Sequence, residues 1–168
     1  YKGFFDLYEL GWIDRIPRLI GVQAEGSAAL YQAWKSNQPA IDMQPIQADT
    51  IADSISAGLP RDRVRALNAV QQSGGLFLTV SDAEILKAIP ALAQATGVFA
   101  EPAAAAAYAG LQRAASDTLI NPDDEVVVLI TGNGLKDIAS ARKSVGQPYK
   151  IEAELQAVTK IATTLELL

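Results

Sequence analysis

The run Val126, Val127, Val128, Leu129 and Ile130 constrains this chain more than any other stretch. Five consecutive apolar residues, three of them valines, read as a strand buried on both faces. The run stops at Thr131, and Gly132, Asn133 and Gly134 turn the chain before Leu135, Lys136 and Asp137. A strand that ends in a hydroxyl and a glycine turn sets that hydroxyl at the carboxyl edge of a sheet, where open α/β sheets bind ligands. The rest of the chain then reads as a scaffold for Thr131.

Two more strands are expected, at 19–24 and 76–80, separated from each other and from 125–131 by helical segments. Helices are expected at 4–13, ending at Gly11, at 28–34, at 61–71 with Val64, Leu67 and Val70 or Ala66 inward, and from Asp82 to Gly97. Ser81 followed by Glu84 matches a capping box, and Pro90 is expected to kink the helix behind it. Glu101 and Pro102 open an alanine-rich helix, with proline at its favoured first position. A short helix follows Asp137, and a terminal amphipathic helix spans 151–167 with Leu155, Val158, Ala162 and Leu165 on one face. Residues 35–50 read as a loop, and 50–55 is ambiguous. The expected fold class is α/β, a three-layer sandwich with a mostly parallel sheet. Three strands are few for such a sheet. Together with a first residue that is Tyr and no polar lead-in, this suggests a chain cut from something longer.

Composition narrows the chemistry. The chain has 168 residues, a net charge of -5, no histidine and no cysteine. Lys and Arg do not cluster, so nucleic-acid binding is not expected. No apolar run reaches the ~18 residues of a membrane span, and a cytoplasmic location is expected. Without histidine the commonest general base and metal ligand is missing, so a Ser/His nucleophile is excluded within this chain and no metal site is expected.

Gly132 and Gly134 give a lone Gly-x-Gly, but Asp137 stands where a dinucleotide fingerprint needs its third glycine, and a tight turn is the plainer reading. Asp123, Asp124 and Glu125 read as a solvated turn. Glu25, after the first strand, is a candidate for the same sheet edge as Thr131 or a solvated turn residue. Glu101 reads as a helix N-cap, and Lys136 as a solvated or helix-capping lysine.

The segment from Ile130 to Asp137 (Ile-Thr-Gly-Asn-Gly-Leu-Lys-Asp) resembles the C-terminal signature of threonine synthases, members of fold type II of the pyridoxal-phosphate enzymes. Further segments resemble the same family in the same order: 19–30, 50–60, Ser73-Gly74-Gly75, 80–86 and 97–107. The resemblance implies a pyridoxal 5'-phosphate cofactor whose pyridine nitrogen meets the hydroxyl of Thr131, with Gly132 letting the backbone pass close to the ring. Asn133 and Glu101 are carried over as further cofactor-binding residues.

The family's Schiff-base lysine and its glycine-rich phosphate loop have no counterpart here, so no catalytic residue is assigned within the chain. The resemblance implies a C-terminal portion, with 1–145 belonging to the large domain and 146–168 forming a helical tail. The complete protein is expected to convert O-phosphohomoserine and water to threonine and phosphate. It is expected to do so with an upstream N-terminal portion of the same enzyme, a small-molecule amino-acid substrate, and a homodimer as the working form. The alternatives are a sister lyase or synthase, such as cysteate synthase or an amino-acid ammonia-lyase, and an inactive half that serves as a binding or assembly module.

Overall fold

The computed structural model describes residues 1–167. Two parallel strands form its centre, β1 (Ile20–Ala24) and β2 (Leu76–Val80). They pair in register from Ile20 opposite Leu76 to Ala24 opposite Val80. Seven helices surround them: α1 (Lys2–Glu9), α2 (Ala29–Lys35), α3 (Arg63–Gln72), α4 (Asp82–Thr96), α5 (Pro102–Ser116), α6 (Ile138–Ser144) and α7 (Leu155–Thr164).

Alternation along the strands divides the core. Phe77 joins Ala29, Ala33, Met43, Leu67 and Val70 on the side of α2 and α3. Val80 and Ala24 join Ile85, Ala88, Ile89 and Leu92 of α4 and the alanines of α5 on the other. Helices therefore cover both faces of a parallel sheet, the layered arrangement that βα units produce. Small side chains let α5 lie close to β1: a Cβ at Gly110 would come 2.3 Å from a methyl of Val22.

Local chemistry explains the element ends. Ser81 accepts the N–H of Glu84, and the Glu84 carboxylate accepts the N–H of Ser81, a reciprocal capping box. Gly97 closes α4 with φ of +75°, and Gly11 follows α1 with φ of +69°. Pro90 lies inside α4. Val64, expected inward, is exposed on α3, while Leu67 and Val70 are buried.

The expected third strand does not form among the described residues. Residues 125–131 run outside any strand, with Val126 45%, Val127 85% and Leu129 72% exposed. The reason is non-local. Strand propensity needs a neighbour whose N–H and C=O groups complete the ladder, and β1 and β2 pair only with each other. The segment is instead fastened just beyond Thr131, where Ala100 and Asn133 form an antiparallel bridge. Glu101 donates its N–H to the Gly132 carbonyl at 3.0 Å, and Gly134 donates to the Phe99 carbonyl at 3.0 Å. Ile130 packs against the α4–α5 core.

Helix α7 forms within the expected terminal helix, but Leu155, Val158 and Leu165 of its apolar face are exposed. Leu168, the last residue of the expected tail, lies outside the described residues. No helix among the described residues is long and apolar enough to cross a membrane.

Candidate functional site

The bridge between Ala100 and Asn133 brings two sequence motifs to one place, the N-terminus of α5. Glu101 is the N-cap residue there, yet its side chain makes no capping bond. It is 6% exposed, a depth at which a carboxylate needs partners. Two are present. Lys136 donates from Nζ to Oε1 at 3.3 Å, and Ser54 donates from Oγ to Oε2 at 3.3 Å.

Gly132 makes room for this carboxylate. A Cβ at Gly132 would come 1.9 Å from Oε1 of Glu101. The missing side chain therefore serves the packing of Glu101 against the turn, a role the sequence reading gave to cofactor clearance alone. Asn133 shapes the turn. Its Oδ1 accepts the Leu135 N–H at 2.9 Å, and its carbonyl accepts the Lys136 N–H at 3.1 Å. The resulting one-turn helix, Gly134–Lys136, aims Lys136 at Glu101.

A cavity of about 300 Å³ opens beside these groups, lined by Ile51, Asp53, Ser54, Glu101, Pro102, Ala103, Lys136 and Asp137. Thr131 adjoins Gly132 but is not part of that lining; it is exposed, and its hydroxyl enters no hydrogen bond among the described residues. Asp137 caps α6 by accepting the Ser140 N–H at 2.9 Å, and the bonds from the Ser140 backbone and hydroxyl hold its carboxyl below the usual range.

Of the four residues singled out in the sequence, Glu101 and Gly132 are thus in direct apposition. Asn133 acts through the turn, and Thr131, next to Gly132 in the chain, is exposed and outside the cavity lining. Glu25 does not join them; it is exposed and acts electrostatically on Arg113. Ser54 and Lys136 were not singled out as site residues. Lys136 carries a faint signal, its place in the glycine turn. Ser54 carries none, because 50–56 has neither helical nor strand period.

The opposite end of α4 holds a different charge pair. Arg113 of α5 donates from Nε to Glu84 Oε1 at 3.2 Å, and Ser81 donates from N and Oγ to Oε2 at 2.8 and 2.7 Å. Burial pushes the Glu84 carboxyl up, but these donors and the Arg113 charge outweigh it and lower its pKa to about 2. The pair ties the start of α4 to the last turns of α5. No group of three or more His, Cys, Asp or Glu is placed to hold a metal ion among the described residues.

Comparison with known proteins gives the family. The family model for pyridoxal-phosphate dependent enzymes matches residues 3–132. The threonine synthase of Methanocaldococcus jannaschii is 36% identical over 166 residues, 98% of this chain and 40% of that enzyme. The threonine synthase of Synechocystis sp. is 40% identical over 162 residues, 95% of this chain and again 40% of that enzyme. A fungal L-serine ammonia-lyase from Rhizomucor miehei shares the fold, with a TM-score of 0.59 and 23% identity over 83% of this chain and 44% of that one. The chain spans about 40% of the length of the curated relatives it matches. With most of its length matched by one family model, and with parallel strands covered on both faces by helices, the chain belongs to the pyridoxal-phosphate dependent enzymes of fold type II.

Proposed function

We propose that this chain is the C-terminal portion of a threonine synthase, which converts O-phosphohomoserine and water to threonine and phosphate. The observation that carries the reading is the identity to threonine synthases over nearly the whole chain, together with the apposition of Glu101 and Gly132 beside an open cavity.

The residues present fit one edge of the cofactor. A buried carboxylate at Glu101 and the Ser54 and Lys136 donors that hold it make a polar wall suited to a heterocycle bearing nitrogen and oxygen, with the exposed hydroxyl of Thr131 next to Gly132 in the chain. Pyridoxal phosphate, when bound, supplies an electron sink for the carbon next to the substrate amine. Thr131 would hold the ring nitrogen through its neutral hydroxyl, which would moderate that sink because a hydroxyl does not hold a full proton there. Glu101 is held in its niche by the Lys136 and Ser54 donors. Asn133 binds through the turn that places Lys136 and Gly132. No catalytic residue is assigned within the chain.

The same reading gives the protein its partners. Residues 126–130 are a strand in waiting, with no backbone partner among the described residues and with Val127 and Leu129 exposed. They pair with a strand from the N-terminal portion of the same enzyme, in keeping with relatives that are much longer than this chain. Residues 1–145 belong to the large domain and 146–168 to a helical tail. The complete enzyme is a cytoplasmic homodimer. The test is release of inorganic phosphate from O-phosphohomoserine by the full-length protein with pyridoxal phosphate. Threonine and phosphate in equal amounts support the reading, whereas ammonia release from serine or threonine without phosphate turnover supports a lyase instead.

A further inference from the structure

The cavity wall formed by Ile51, Asp53 and Ser54 has no strand or long helix to hold it; it is a single 3-10 turn, Asp53–Ile55, in a loop. Beyond its own short backbone bonds, a wall of that kind depends on contacts from other elements. Two clamps lie at its ends. The carbonyl of Gly26 accepts the Asp49 N–H at 2.9 Å. Ser27, fully buried, accepts the Ala57 N–H at 2.9 Å and donates to the Ile55 carbonyl at 3.2 Å. The middle is held from a different element. Asp82, the first residue of α4, accepts the Thr50 hydroxyl at 2.6 Å on one carboxylate oxygen and the Ile51 N–H at 3.1 Å on the other. The Thr50 oxygen in turn accepts the Ala52 N–H at 3.1 Å.

We infer that Asp82 is a positioning residue of this site, acting on Glu101 through the 50–54 turn and Ser54. The inference rests on the reading of Glu101 as part of the cofactor wall. The chain of contacts is short: Asp82 fixes Thr50 and Ile51, the turn delivers Ser54, and Ser54 is one of the two groups that hold the buried carboxylate. The α4 cap does not need Asp82, because Ser81 and Glu84 supply it reciprocally. The carboxylate is therefore available for the loop. Both of its oxygens are used there, which neither an alanine nor an asparagine reproduces; the amide of asparagine keeps only one acceptor.

The test is a double-variant cycle in the full-length enzyme, read as kcat/KM for phosphate release with thermal melting alongside. Asp82→Ala and Ser54→Ala are each expected to lower kcat/KM about tenfold, with Asp82→Asn in between. The Asp82→Ala, Ser54→Ala double variant is expected to be no worse than the poorer single, because both changes break one path. A multiplicative loss in the double variant, or wild-type kinetics for Asp82→Ala beside an impaired Ser54→Ala, overturns the inference. A common drop in melting temperature does not produce the non-additivity, so a purely structural role is told apart. Should Asp82→Ala not fold, the same cycle with Asp82→Asn decides the question. Thr131→Val run in parallel separates the two levels: wild-type activity in Thr131→Val and Ser54→Ala together sinks the site reading itself, whereas impairment of both with intact Asp82→Ala sinks only the role of Asp82.

Discussion

Lys136 reaches Glu101 across 35 residues of sequence, its Nζ 3.3 Å from Oε1, and an exposed lysine thereby neutralises a carboxylate that is 6% exposed. The lysine head stays in water while its partner does not, so the two ends of the pair matter differently. Loss of the lysine leaves a buried charge with only the Ser54 hydroxyl; loss of the carboxylate frees a solvated ammonium at little cost.

The first prediction follows from that asymmetry. Lys136→Met in the full-length enzyme is expected to lower kcat/KM about tenfold or more, the scale of a hydrogen bond to a charged group. The accompanying stability loss is expected to be about 1–3 kcal/mol, because the carboxylate left behind is buried although the lysine is 61% exposed. Steady-state kinetics and denaturant melts together check it, and a loss confined to stability contradicts it.

Gly132→Ala tests the packing of the carboxylate. The added Cβ would fall 1.9 Å from Glu101 Oε1, so either Glu101 leaves its niche or the turn moves. A destabilisation of about 1–3 kcal/mol is expected, together with loss of activity. A crystal structure of the variant with Glu101 unmoved and full turnover contradicts the account.

The Glu84–Arg113 pair gives a pH dependence with a definite sign. The Arg113 guanidinium and the Ser81 donors outweigh burial and hold the Glu84 carboxyl at about 2, below its ordinary value of 4.5. A depressed carboxyl contributes stability that is fully present above the unfolded-state value and lost as pH falls through the folded-state one. Between about pH 4.5 and 2 the wild type is therefore expected to lose stability that Glu84→Gln never had, so the two melting curves converge as the solution is acidified. Parallel curves across that range are the contrary result.

Residues 126–130 supply a prediction about assembly. Their amides lack ladder partners among the described residues, so they are expected to exchange fast in the isolated chain and slowly in the full-length protein. Hydrogen exchange with mass analysis reads this directly, and fast exchange in both forms removes the segment from the sheet.

Much of the fold was legible because its signals are local. Leu76 to Val80 between Gly75 and Ser81, the Ser81–Glu84 box and the left-handed Gly97 are each decided within a few residues, and each forms as expected. The 125–131 strand had an equally strong pattern and does not form, because a ladder needs a neighbour and propensity does not supply one. The site divides the same way. Glu101 was reached through its motif, but its burial, and its contacts with Ser54 and Lys136, depend on partners 47 and 35 residues away. Asp82 looked like part of a cap, and its use as a loop clamp is visible only in three dimensions.

The proposed role of Thr131 is to meet the ring nitrogen of the cofactor. The direct measurement is the nitrogen-15 resonance of pyridoxal phosphate labelled at the ring nitrogen, bound to full-length enzyme, in wild type and in Thr131→Val. The account predicts a resonance typical of a hydrogen-bonded neutral pyridine that shifts toward the unbonded position in the variant, with kcat lowered. An identical resonance and identical turnover in the two proteins would contradict it.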